Sequence, residues 1–214
     1  MKARGLFAGL FFVALGWAAP AQAAVTIDFY THELALVSSS LNTYFPHGFV
    51  LLSGTTEDGT PVETNLGFTA RTVFFNILWE KVTGEMDPVP LPRGYVEGAV
   101  RHFSFPLTEA QYRAVMATAD KWRNAPQPSY DLDSTNCVTF VKEIALAAGL
   151  SVSEDRKFIH APGDFVPDIA RRNAAFLSQF GPQPALSMPV GDPAALERRV
   201  QQLERDAREK VGAD

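Results

Sequence analysis

The amino-acid sequence predicts an α+β domain in which an antiparallel sheet packs against a helix that carries a cysteine at its N-terminus. Three observations lead to that expectation. Segments with the two-residue alternation of strands fill the first part of the chain and are joined by turn-forming residues. Segments with helical spacing, opened by capping residues, fill the second part. The single cysteine, Cys137, stands where one of these helices opens.

The chain begins with Lys2 and Arg4, an apolar stretch from Leu6 to Ala19, and Ala21-Gln22-Ala23. Charge, apolar core and small cleavage residues in that order predict a signal peptide over residues 1–23, cut after Ala23. The stretch is shorter than the roughly 20 residues a membrane span needs, and no second run of that kind follows. A soluble periplasmic or secreted protein with no transmembrane segment is therefore expected, and no cysteine at the cleavage site offers a lipid anchor. The net charge of −5 becomes more acidic once Lys2 and Arg4 are removed, and no Lys/Arg cluster appears. This argues against nucleic acid, which requires clustered positive charge, as a partner.

Residues 24–180 are expected to form one domain. Val25 to Tyr30 and Phe45 to Leu52 read as strands, and the Gly, Thr, Glu and Asp residues between Ser53 and Pro61, including Asp58-Gly59, read as a turn. Val62 to Thr69 alternates again and closes a hairpin. Arg71 to Val82 fits a short helix or a strand equally, and Met86 to Gly94, rich in Pro and Gly and containing Asp87, reads as a loop. Tyr95 to Phe105 has strand period. Thr108 and Gln111 form a capping box that opens a helix to about Arg123, with Tyr112, Val115, Met116, Ala119 and Trp122 on its buried stripe. Asp133, Ser134 and Thr135 are capping types before a helix that ends at Gly149, with Cys137 in its first turn facing the core. A further helix is expected from about Gly163 to Phe180. Residues 181–193 read as a Pro-rich linker, and residues 194–214 as an amphipathic helical tail with Leu196, Val200, Leu203 and Ala207 on one seam. A seam of two heptads favours a tail laid on the domain or free in solvent over dimerisation through a coiled coil.

A solitary cysteine in an exported chain has no partner for an internal disulfide. In the first turn of a helix its thiolate is stabilised by unpaired N–H groups and the positive end of the helix dipole. A nucleophilic thiol also needs a base. Of His32, His47, His102 and His160, His47 is favoured because it opens the first hairpin strand, where pairing fixes the backbone. His102 alternates with Phe103 and Phe105 and is expected to face solvent, as are His32 and His160. His32-Glu33 lacks the second histidine of a His-Glu-x-x-His zinc helix, and a lone cysteine makes no thiolate zinc cluster. No cofactor or metal is expected, and no phosphate-binding glycine loop is present.

His47-Gly48-Phe49-Val50-Leu51-Leu52-Ser53-Gly54, the returning Asn65-Leu66-Gly67-Phe68, and Asn136-Cys137-Val138-Thr139-Phe140-Val141 resemble the circularly permuted NlpC-type papain-fold cysteine hydrolases, the group to which lecithin retinol acyltransferase belongs. In that group the histidine strand precedes the cysteine helix, which opens on Asn-Cys-x-x-Phe-Val. The resemblance covers residues 25 to 170 or so. It implies a permuted papain-like fold, Cys137 as nucleophile and His47 as its base. The third member comes from the strand after the histidine strand, where relatives carry a second histidine. Asn65 stands there in this chain, with Glu63 on the same face as the alternative. The Cys137 N–H is expected to serve as an oxyanion donor, and Tyr130 as a second donor or as a packed aromatic lining the pocket. Asn136 is expected to cap the helix. The function implied is hydrolysis of an amide or peptide bond in cell-wall peptide material through an acyl-cysteine. An acyl-chain hydrolase or acyltransferase would use the same Cys/His pair on an acyl-amide, and a non-catalytic envelope protein would bury Cys137 as core.

Overall fold

The computed structural model describes residues 24–38, 43–72, 75–92 and 94–187. The expected leader, the end of the linker and the C-terminal helix lie outside these residues. The fold class is α+β. Six strands, β1 (Val25–Ser38), β2 (Thr43–Thr55), β3 (Pro61–Ala70), β4 (Val82–Met86), β5 (Val100–Leu107) and β6 (Ser129–Tyr130), form one sheet in the order β5-β1-β2-β3-β4-β6, with every pairing antiparallel. Three longer helices, α1 (Glu109–Arg123), α2 (Cys137–Ala147) and α3 (Pro162–Arg172), are followed by the short α4 (Ala174–Leu177) and α5 (Pro184–Ser187). Among the described residues no helix is long and apolar enough to cross a membrane.

Strand alternation explains the layering, since successive side chains leave opposite faces of a sheet. One face presents Ile27, Phe29, Val50, Leu52, Leu66, Phe68, Phe103 and Phe105, all fully buried. Against it pack Phe140, Val141 and Ile144 of α2, Val166 and Ile169 of α3, and Val115 and Ala119 of α1. The opposite face carries Tyr30, His47, Phe49, Leu51, Asn65 and Gly67. Phe49 is buried here too, because Tyr30 stacks on it at 5.4 Å and Tyr95 approaches at 5.5 Å. The chain between β4 and β5 thus covers part of the sheet's second face, and it brings Asp87 with it.

The hairpin turn falls at Thr56 to Thr60, where Gly59 takes a φ of +86° that side chains resist. The ambiguous stretch after Arg71 divides into a 3-10 turn at Phe75–Leu78 and strand β4. The strand expected from Tyr95 starts only at Val100, since residues 94–99 turn through Gly98 N–H to Gly94 O and Ala99 N–H to Val96 O. The register of β5 against β1 slips between Phe29/Phe103 and Tyr30/Arg101. That bulge leaves His102 as the extra residue and corrects its expected exposure: His102 is buried beside Phe103, with Nε2 2.7 Å from Thr31 Oγ1.

The expected helix from Gly163 to Phe180 is broken at Asn173. Its side chain accepts from Ser151 N–H at 2.9 Å and donates to Ser151 O and Ile169 O at 2.8 Å, tying the end of α3 to the loop after α2. Part of the expected linker belongs to the packed domain: Gln183 Oε1 accepts the Ser104 N–H at 3.0 Å, and Ala185 of α5 is buried.

Candidate active site

The start of α2 is set by Asn136. Its Oδ1 accepts the N–H groups of Val138 at 2.9 Å and Thr139 at 3.1 Å, while Thr139 Oγ1 accepts the Asn136 N–H at 2.8 Å. The cap therefore lies one residue beyond the capping types at 133–135, whose Thr135 instead pairs with Asp131 to close the preceding turn. Asn136 is 1% exposed, and its Nδ2 donates to Leu132 O and Ile159 O at 2.6 and 2.8 Å. Every hydrogen-bonding position of the amide is filled within the fold, which fits a capping role. The Phe140 N–H goes to Asn136 O, so the Cys137 N–H is the one left over at this helix start. It is given to the Tyr130 hydroxyl oxygen.

β2 places the base. Its ladder with β3 ends at the Phe49/Gly67 pair, after which β3 pairs with β4 from Phe68/Met86. The thiol of Cys137 enters where the strands part. There it is in hydrogen-bond contact with the His47 ring, accepts the Gly48 N–H and accepts the Tyr130 hydroxyl proton. His47 Nε2 lies 2.8 Å from Asp87 Oδ2, which leaves Nδ1 for the thiol. Cys137 and His47 are only 3% and 7% exposed.

The electrostatics follow from this chain of contacts. Burial opposes charge on both groups, lowering the His47 pKa and raising that of the thiol. For His47 the Asp87 carboxylate, and then the thiolate, outweigh burial and hold the ring well above its usual value of 6.5. For Cys137 the His47 ring, the Gly48 N–H and the Tyr130 hydroxyl outweigh it and hold the thiol below 9.0. Tyr130 itself is pushed far up, first by burial and then by the thiolate, so it remains a donor.

Cys137 and His47 are thus brought together, and Asn65 and Glu63 are not joined to them. The ring-orienting place assigned to Asn65 is held by Asp87. Asn65 lies buried on β3 with its Nδ2 donating to Pro88 O at 3.0 Å, because its position in the β2 ladder is opposite Leu51, away from His47. Glu63 is exposed opposite Ser53. Both line a groove of about 550 Å³ between the outer sheet face and Val89, Pro90, Leu91 and Val96, with Asp28 at its far side. Asp87 escaped the sequence reading because loops carry no period. The available signal was Gly67: a glycine inside a strand marks a close approach.

His32, expected at the surface, pairs with His47 across β1 and β2 and is half-buried against Tyr95, 5.0 Å between rings. Burial, and then the charge on His47, lower its pKa and so favour the neutral imidazole. His160 is exposed and 2.9 Å from Asp133. No group of three or more His, Cys, Asp or Glu side chains arranged for a metal occurs among the described residues. Comparison of the chain with protein-family models, with curated proteins and with solved structures gave no match.

Proposed function

We propose that this chain is an exported cysteine hydrolase of the permuted papain-like kind, cleaving an amide or peptide bond of cell-wall peptide material in the periplasm or outside the cell. The observation that supports it is the hydrogen-bonded line Cys137, His47, Asp87, in which one thiol is acidified and one imidazole is held in a fixed orientation. The order of its parts, histidine strand before cysteine helix, and the Asn136-Cys137-Val138-Thr139-Phe140-Val141 opening support the family reading.

In this reading the Cys137 thiolate attacks the carbonyl carbon, and the carbonyl oxygen becomes an oxyanion. The Cys137 N–H and the Tyr130 hydroxyl lie beside the sulfur as donors for it. The His47 imidazolium gives its proton to the departing amine as the C–N bond breaks, leaving an acyl-cysteine and a neutral ring. Water then adds to the acyl group, its proton passing to His47, and the C–S bond breaks to release the acid and restore the ion pair. Asp87 keeps the ring in the tautomer and orientation that both transfers need.

The test is to incubate the purified protein with wall peptide fragments and fatty acyl amides in parallel, with Cys137→Ser as control. Cleavage of wall peptides that vanishes in Cys137→Ser supports the reading. Turnover of acyl amides alone would assign the same dyad to acyl-chain chemistry, and turnover unchanged in Cys137→Ser would dismiss the thiol.

A further inference from the structure

We propose that Gly67 and Asn65 are positioning residues that hold the Asp87 carboxylate on the His47 ring, the first by the space its missing side chain leaves and the second by fixing the peptide that follows Asp87. For its catalytic consequence the proposal rests on the hydrolase reading.

The geometry at Gly67 is restrictive. A Cβ built on it would stand 1.9 Å from Asp87 Oδ2, 2.7 Å from Asp87 Cγ and 3.1 Å from His47 Nε2. The Asp87 carboxylate therefore occupies the volume that any other residue would fill. The carboxylate is the movable end of a side chain, whereas the strand is held by the β2 ladder, so an added methyl displaces Asp87 rather than β3. The same residue anchors Asp87 through the main chain, its carbonyl accepting the Asp87 N–H at 3.0 Å.

Asn65 acts two residues earlier on the same face. Its Nδ2 donates to Pro88 O at 3.0 Å, so the residue after Asp87 is tied to β3. Asp87 is thus fixed from both sides: its own N–H on Gly67, and the following carbonyl on Asn65. Val89, Pro90 and Leu91, next along the chain, form one wall of the groove that Asn65 also lines. The Asn65 amide bonds to the chain after Asp87 rather than to the thiol or the ring, and its effect passes through Asp87.

The experiment compares wild type, Gly67→Ala, Asn65→Leu, Asp87→Ala and Gly67→Ala/Asp87→Ala. The readouts are the His47 pKa from the pH dependence of its ring NMR signal and the rate of Cys137 alkylation by iodoacetamide. Gly67→Ala is expected to bring the His47 pKa down toward that of Asp87→Ala and to slow alkylation at neutral pH at least tenfold. The double variant should be no worse than Asp87→Ala, since both remove one contact. Asn65→Leu, of similar volume but with neither a donor nor a charge, should give a smaller shift in the same direction.

An unchanged His47 titration in both single variants would overturn the proposal, as would losses in the double variant that add. Should Gly67→Ala fail to fold, Asn65→Leu decides alone, an unchanged titration counting against the proposal. These readouts need no substrate. A wild-type protein that cleaves nothing yet shows these shifts would defeat the hydrolase reading and leave the positioning roles standing.

Discussion

Two helices of this protein begin with the same local device and end up with different chemistry. At α1 the Thr108 hydroxyl accepts the Gln111 N–H at 3.3 Å, and Gln111 Oε1 accepts the Thr108 N–H at 2.9 Å. At α2 Asn136 and Thr139 exchange the equivalent pair of bonds. The first box lies in solvent, with Glu109 as the acid that favours a helix start. The second is buried, has no acid in its first turn, and presents a thiol to an imidazole across a gap between strands. The shared cap does not by itself account for the surroundings of the thiol. At α2 it is β2 and Tyr130 that supply the groups lowering the thiol pKa: the His47 ring, the Gly48 N–H and the Tyr130 hydroxyl.

The largest effect that tests this contrast is on thiol reactivity. His47→Ala is expected to reduce Cys137 alkylation at neutral pH by about two to three powers of ten, as the buried thiol loses the cation that acidifies it. In a Cys137→Ser background, Glu109→Cys puts a thiol in the first turn of α1 with no imidazole partner. Its titration should fall within about one unit of the ordinary value near 8.5. A strongly acidified thiol there would credit the helix start rather than the groups around Cys137.

Next in size is stability. Asn136→Ala removes the cap and leaves Leu132 O and Ile159 O without their donor, which should cost about 3 kcal/mol in urea denaturation. Thr108→Ala, where water replaces the lost partner, should cost about 1 kcal/mol and leave Cys137 alkylation unchanged. Equal costs would show that burial of the second cap adds nothing. Smaller again is Tyr130→Phe: it removes one donor to the sulfur, should raise the thiol pKa by less than His47→Ala does, and should lower substrate turnover by about tenfold or more.

The sequence showed the parts whose signal is local. Cys137 was readable because capping types and apolar residues at helical spacing surround it, and His47 because strand alternation resumes there. Three placements depended on pairing between distant segments. Asp87 reaches His47 only because β3 leaves β2 at Gly67 and takes up β4, a divergence that period and propensity do not encode. Asn65 had the right strand and the right face, yet the register sets it beside Leu51, so it reaches the chain after Asp87 instead of the ring. His102 was misplaced by one inserted residue, since a bulge reverses the face of everything beyond it. Asn173 broke an expected helix for a related reason: its partner Ser151 is far off in sequence.

The pH behaviour follows from the directions of the two shifts. The His47 pKa is shifted upward from 6.5 and the Cys137 pKa downward from 9.0, and both shifts favour a thiolate beside an imidazolium near neutral pH. Asp87→Ala should lower the upper limit of the pair's pH window more than it moves the lower one, as read from alkylation rate against pH.

Because the chain has one cysteine, thiolate absorbance near 240 nm reports on Cys137 alone. Titrating that absorbance in wild type and His47→Ala is the most direct test of a preformed ion pair. The account predicts a wild-type thiolate that persists well below the ordinary thiol range and disappears at neutral pH in His47→Ala. A wild-type thiol that titrates in or above the ordinary range, unmoved by His47→Ala, would contradict it.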